Sequence, residues 1–275
     1  MWTRKFLKDN AKEFLRKYLK DAIIVCLIFF LLSSIFGDDT SYTNLSLDLK
    51  DNYTENYEIE TQKKFRIDVF ENSKLFKYSK NFLGDNVIIN DPWDNSITLL
   101  VSPMLFMFLA VVFALISIFV IGPMSIGLKR YFIRGYHYDS NISYLFSPFK
   151  DGTWKSLAGK LFLKDIYIFL WTLLLIVPGI IKTYEYYFVP YILAEDPELS
   201  LGDAIAISKE LTRNDKFNIF VLELSFFGWI FLSAILLNLG FILLNPYMEA
   251  TTASLYIVKK KIVSEEYENV SFSYE

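Results

Sequence analysis

Long apolar runs alternate with polar segments along this chain, and the runs carry almost no charge. The clearest are Ala22 to Phe36, Ile97 to Ile121, Ile166 to Ile181, Ile219 to Leu236 and Leu239 to Val258. A helix that crosses a bilayer core needs about 20 apolar residues. A helix on a soluble core keeps a polar face, which these runs lack. The pattern predicts an all-α membrane protein built as a six-transmembrane-helix bundle, with amphipathic surface helices and a small extracytoplasmic β-containing insertion. The expected spans are residues 21–36, 97–124, 163–181, 182–195, 218–236 and 239–258. The short, aromatic fourth span follows Pro178-Gly179, a pair that breaks a helix. It also returns the basic Lys259, Lys260 and Lys261 to the cytoplasmic side, where such residues collect.

The polar segments carry patterns of their own. In residues 1–20, Phe6, Leu7, Phe14, Leu15, Tyr18 and Leu19 recur at helical spacing among Arg4, Lys5, Lys8, Lys12, Arg16, Lys17 and Lys20. That is the pattern of a basic helix lying on an anionic membrane surface; a plain cytosolic extension of the first span is the alternative. Residues 37–96 contain Leu45 to Leu49, Phe65 to Phe70 and Asn86 to Ile89, which alternate or read as strands. A small β-containing domain outside the membrane is expected there, with a loose loop as the alternative. Residues 125–162 mix bases with aromatic residues, as cytoplasmic loops at the headgroup layer do. Residues 196–217 read as a second surface helix, in which Ser200 and Asp203 form a capping box before a stripe of Leu201, Ala204, Ile205, Ser208 and Leu211. Residues 259–275 read as a cytoplasmic tail, acidic from Ile262 and expected to be disordered.

Composition narrows the function classes. The 275 residues are 53% hydrophobic and carry a net charge of −3, so no basic surface for nucleic acid is expected. The single cysteine, Cys26, permits neither an internal disulfide nor a cysteine metal site. The first apolar run follows a charged segment and lacks a small-residue cleavage site, so it reads as a retained span. His137 is the only histidine. There is no HExxH, no GxSxG and no GxxxxGK[ST], and no catalytic residue, metal or cofactor is expected.

Charged and polar side chains inside the apolar runs are the best functional pointers. Each charge costs about 2.5–3.5 kcal/mol at a helix centre and needs a partner or a watery cavity. The candidate substrate-binding residues are Lys182, Glu185, Glu223, Asn245 and Glu249. Lys182 and Glu185 are three apart, on one helix face. They read either as a polar pocket for a headgroup or small solute, or as an ion pair at the outer interface. Glu223 sits near the inner end of the fifth span, within snorkelling reach of the surface. Asn245 and Glu249 flank Pro246, where a kinked helix frees carbonyls for an ion site or simply packs.

Several motifs in spans three to six carry a family resemblance. They are the stretch Leu170 to Lys182 with Pro178-Gly179; Tyr191 to Pro197 with Ala204 to Ser208; Ser225 to Trp229; and Pro246-Tyr247 with Ala250, Thr251 and Tyr256. Together they resemble the bacterial integral membrane family called domain of unknown function 975. More distantly they are similar to the membrane domain attached to some glycerophosphodiester phosphodiesterases. The likeness is clearest over the last 110 residues. It implies a six-helix bundle in a bacterial plasma membrane and no reaction. The expected protein is non-enzymatic, multi-pass, with both termini cytoplasmic. It acts with the lipid bilayer, through anionic headgroups, or with a protein partner held by residues 37–96, in envelope maintenance, stress tolerance or export. A small-solute or lipid transporter with a site near Pro178-Gly179 is the alternative.

Overall fold

The computed structural model describes residues 2–36, 65–66, 87–90, 97–100, 103–235 and 240–272. Helices dominate. In chain order the elements are α1 (Arg4–Phe36), the strands β1 (Phe65–Arg66), β2 (Val87–Asn90) and β3 (Ile97–Leu100), α2 (Pro103–Ile116), α3 (Gly122–Tyr136), α4 (Ser147–Lys150), α5 (Trp154–Leu174), α6 (Ile176–Glu185), α7 (Val189–Glu195), α8 (Leu201–Leu211), α9 (Lys216–Ile235) and α10 (Phe241–Phe272). The chain divides into two units, Met1–Leu32 with Ile118–Glu275, and Ser33–Ser117.

In the smaller unit, β3 pairs antiparallel with both β1 and β2. Ile97–Leu100 is therefore strand, and the helix expected from residue 97 begins at Pro103. Proline suits that place, because a first-turn N–H has no helical partner to lose. The rest of the 37–96 insertion lies outside the described residues.

The larger unit holds the core. α1 divides at Tyr18, whose φ −122° and ψ 22° interrupt the helix. Part of the apolar stripe on the basic segment before it packs inward, while Phe6 stays half exposed. Leu7 and Ala11 are fully buried, and the Phe14 ring meets those of Phe132 and Tyr136 at 5.5 and 4.9 Å. Two polar ties hold it: the Trp2 indole donates to Asp215 (3.1 Å) and the Asn10 amide to Ser254 (3.2 Å). Apolar side chains on a short amphipathic stripe find protein before lipid when facing helices offer complementary rings.

The expected spans at 163–181 and 182–195 are not formed. The chain reverses at Leu175, which is extended (φ −159°, ψ 141°), and α6 runs back along α5. A Cβ at Gly179 would lie 2.2 Å from Thr172 Oγ1, and the Lys182 ammonium sits 5.0 Å from the Trp171 ring centre. In a single straight helix Lys182 would stand about 16 Å beyond Trp171. Pro178 does not make the break; it occupies the first turn of α6, where the missing N–H goes unnoticed.

A second hairpin joins α9 and α10. Asp215 meets Lys259 at 2.8 Å, the Phe226 and Tyr247 rings meet at 5.7 Å, and a Cβ at Gly240 would lie 2.5 Å from Ser233 Oγ. α10 continues well beyond residue 258, so the backbone of the expected tail is helical as far as Phe272. α8 forms as the capping box requires: Ser200 Oγ accepts from the Asp203 amide (3.1 Å) and donates to its carboxylate (2.6 Å).

Among the described residues, two helices are long and apolar enough to cross a membrane, Met107–Tyr136 and Lys216–Ser233. The six-span bundle is not found. The α5–α6 reversal is one physical reason: it turns an apolar run read as one crossing into two shorter limbs.

Candidate functional site

The polar side chains inside the larger unit form two groups. The first gathers carboxylates and tyrosines in the helix core. Lys129 on α3 donates to both carboxylate oxygens of Glu249 on α10, each at 2.6 Å. The Tyr191 ring on α7 lies beside this pair, 5.2 Å from the Lys129 ammonium. Tyr187, in the turn before α7, stacks on Tyr184 with ring centres 6.2 Å apart. Tyr184 on α6 donates to Glu223 at 2.8 Å. Two of the candidate residues, Glu223 and Glu249, thus each stand beside a tyrosine of this aromatic run. Glu249 has a cation; Glu223 meets no cation among the described residues, only the Tyr184 hydroxyl.

The local sequence explains the convergence. Tyr184, Tyr187 and Tyr191 follow the i, i+3, i+7 spacing of one helical face, and Glu249 and Thr252 are three apart on another. The two faces meet because Tyr191 stacks on Tyr256 with ring centres 5.4 Å apart.

The second group is a layer of ion pairs. Lys182 holds Glu185 at 2.6 Å, and Lys216 from α9 holds the other oxygen at 3.4 Å. Ser208 on α8 donates to the Glu185 carbonyl (2.7 Å) and accepts from the Phe188 amide (3.1 Å), which fixes the turn after α6. Asp215 accepts from Lys259, Asn218 and Trp2. Burial alone would raise its carboxyl pKa, but these three donors and the Lys259 charge outweigh burial and hold it below the usual value. Glu195 takes both the Tyr256 hydroxyl and the Lys260 ammonium.

Lys182 and Glu185 are therefore brought together as expected, but with Lys216 as third member and apart from Glu223 and Glu249. The half-buried Asn245 belongs to neither group. Sequence reasoning missed Lys129 and Arg130, which it assigned to a loop at the headgroup layer. Both lie within α3. Arg130 is buried and donates to the Ala194 carbonyl (2.8 Å), Ser147 (2.8 Å) and Asp151 (2.7 Å), which ties α3 to α4 and α7. The tyrosine run beside Lys182 and Glu185 was the one signal in the sequence that could have pointed to the Tyr184–Glu223 contact. No cluster of three or more His, Cys, Asp or Glu side chains suited to a metal occurs among the described residues.

The family model described as "Protein of unknown function (DUF975)" matches residues 1–261. The chain belongs to this family. The match takes in the N-terminal half as well as the motif-rich C-terminal half, so the basic segment of α1 and both hairpins fall inside the DUF975 unit. No curated protein and no solved structure matches the chain.

Proposed function

We propose that this DUF975 protein is a multi-pass protein of the bacterial plasma membrane that performs no chemistry of its own. It acts through lipids and protein partners, in envelope maintenance, stress tolerance or as an accessory to export. The observation that carries this reading is the neutralisation of Lys182, Glu185 and Glu249, three of the four candidate charges, and of Asp215 beside them. Lys129 closes on Glu249, Lys182 and Lys216 on Glu185, and Lys259 on Asp215. Charges closed in this way orient helices and leave little to bind a substrate.

In this reading the α5–α6 hairpin is re-entrant. Its apolar limbs, Ile166 to Leu174 and Ile176 to Ile181, rise only about 14 and 9 Å, against a bilayer core of about 30 Å. The hairpin enters and leaves the same face, so two expected crossings become none. The side reached by the C-terminus does not change, and both termini stay cytoplasmic. Residues 37–96 form a small β-containing domain outside, available to a protein partner.

The test is complementation of a deletion strain. Removal of residues 40–95 should abolish function, while the paired change Lys182→Met with Glu185→Leu should retain it at normal membrane levels. The reverse pattern would favour the second reading, transport of a small solute or lipid. One observation supports that alternative: among the described residues Glu223 meets the Tyr184 hydroxyl and no cation. A Glu223→Gln variant that folds but fails to complement would point the same way.

A further inference from the structure

The basic segment of α1 lines an open, shallow groove of about 470 Å³ with Arg4, Lys5, Lys8, Asp9 and Lys12, and α9 contributes Ser225 to it. Arg4, Lys8 and Lys12 recur at every fourth residue with Lys5 beside Arg4, so four cations share one stripe of helix. The one carboxylate in the lining, Asp9, closes on Lys12 at 3.2 Å. Arg4, Lys5 and Lys8 meet no carboxylate among the described residues. Like charges at this spacing repel. Burial, then Arg4 and Lys12, push the Lys8 ammonium below its usual pKa.

What holds the cations together is the other side of the helix. Leu7, Ala11 and Phe14 are locked in the core, Trp2 is tied to Asp215 and Asn10 to Ser254. Lys8 is further placed by the Phe226 ring, 4.7 Å from its ammonium. The Ser225 hydroxyl spends its proton on the Leu222 carbonyl. The groove is thus a preorganised cluster of positive donors whose repulsion an anion would relieve. Arginine's planar fork with two adjacent ammoniums matches the several oxygens of a phosphate better than the two of a carboxylate.

We propose that this groove binds a phosphate-bearing anion, either the headgroup of an anionic phospholipid or a soluble phosphate. The lipid source rests on the membrane reading above; the anion site does not.

The full-length protein in neutral detergent would be titrated with short-chain phosphatidylglycerol, short-chain phosphatidylcholine and inorganic phosphate, followed by thermal unfolding and native mass spectrometry. A rise in Tm and one added lipid mass with phosphatidylglycerol but not phosphatidylcholine would assign a headgroup. Protection by inorganic phosphate would assign soluble phosphate and support the site without its lipid. The pair Arg4→Gln with Lys8→Gln should weaken either ligand about tenfold or more, which is about 1.4 kcal/mol. The exposed Lys5→Glu should also weaken binding, and it guards against a folding defect in the pair. Lys150→Gln, outside the groove, should bind normally. Equal weakening by Lys150→Gln, or no response to either anion, overturns the site. Neither result touches the non-catalytic reading, which complementation tests separately.

Discussion

Thr172 and Gly179 are pressed together where the α5–α6 hairpin closes: a Cβ at position 179 would stand 2.2 Å from the Thr172 hydroxyl oxygen and 2.7 Å from its Cα. The limbs approach this closely only because residue 179 has no side chain. Gly179→Leu is therefore expected to wedge them apart, at a cost of about 1–3 kcal/mol for overpacking. Thermal unfolding in detergent measures it. Gly228→Leu is the control, because nothing lies within 4 Å of a Cβ there. Equal Tm values for the two variants would show that the limbs do not touch.

The hairpin tip gives a topology prediction. Leu173, Leu174, Leu175, Ile176 and Val177 are all more than 60% exposed, an apolar cap suited to lipid. With Cys26→Ala as background, Leu175→Cys should resist a membrane-impermeant maleimide added outside intact cells and, once carrying a membrane-permeant fluorescent maleimide, be quenched by mid-depth spin-labelled lipid. Efficient labelling from outside would mean that the segment crosses.

Lys129 and Glu249 form a largely buried pair, with side chains 18% and 23% exposed. Lys129→Met alone should strand the carboxylate and cost about 3–5 kcal/mol. Adding Glu249→Leu should recover much of that loss. A double variant less stable than the single would show that the pair contributes net stability beyond its own neutralisation.

Asp215 links stability to pH. Its folded pKa lies below the usual 3.8, so the folded state binds a proton there less readily than the unfolded chain does. The stabilisation is complete above that value and fades as the pH falls through the lower folded pKa. Tm should drop on acidification from pH 5 to pH 3 by less in Asp215→Asn than in the parent. Parallel curves would remove Asp215 from the acid response.

Much of the helical content was legible in the residues. Ser200 with Asp203 announces α8, because a local side-chain cap needs no distant partner. The basic stripe of α1 and the apolar runs of α9 and α10 likewise follow from period and composition. The break between α5 and α6 was misplaced by three residues, since Pro178-Gly179 reads as a breaker whether proline ends one helix or opens the next. The candidate site was half legible. The acids were conspicuous by their setting, but a tyrosine inside an aromatic run looks like packing until its hydroxyl meets a carboxylate.

The sequence by itself determined that most of the chain is helical and which runs are apolar, because both depend on neighbours within a few residues. It also determined membership of the DUF975 family, through motifs in order. Only the tertiary structure decided that Ile166 to Ile181 folds back on itself. It alone decided that Leu7, Ala11 and Phe14 of α1 pack against protein, that Lys129 meets Glu249 and that Tyr184 meets Glu223. Those outcomes depend on close approach between segments far apart in the chain. Such contacts are set by shape and by the need of every buried charge for a partner, neither of which a local pattern contains.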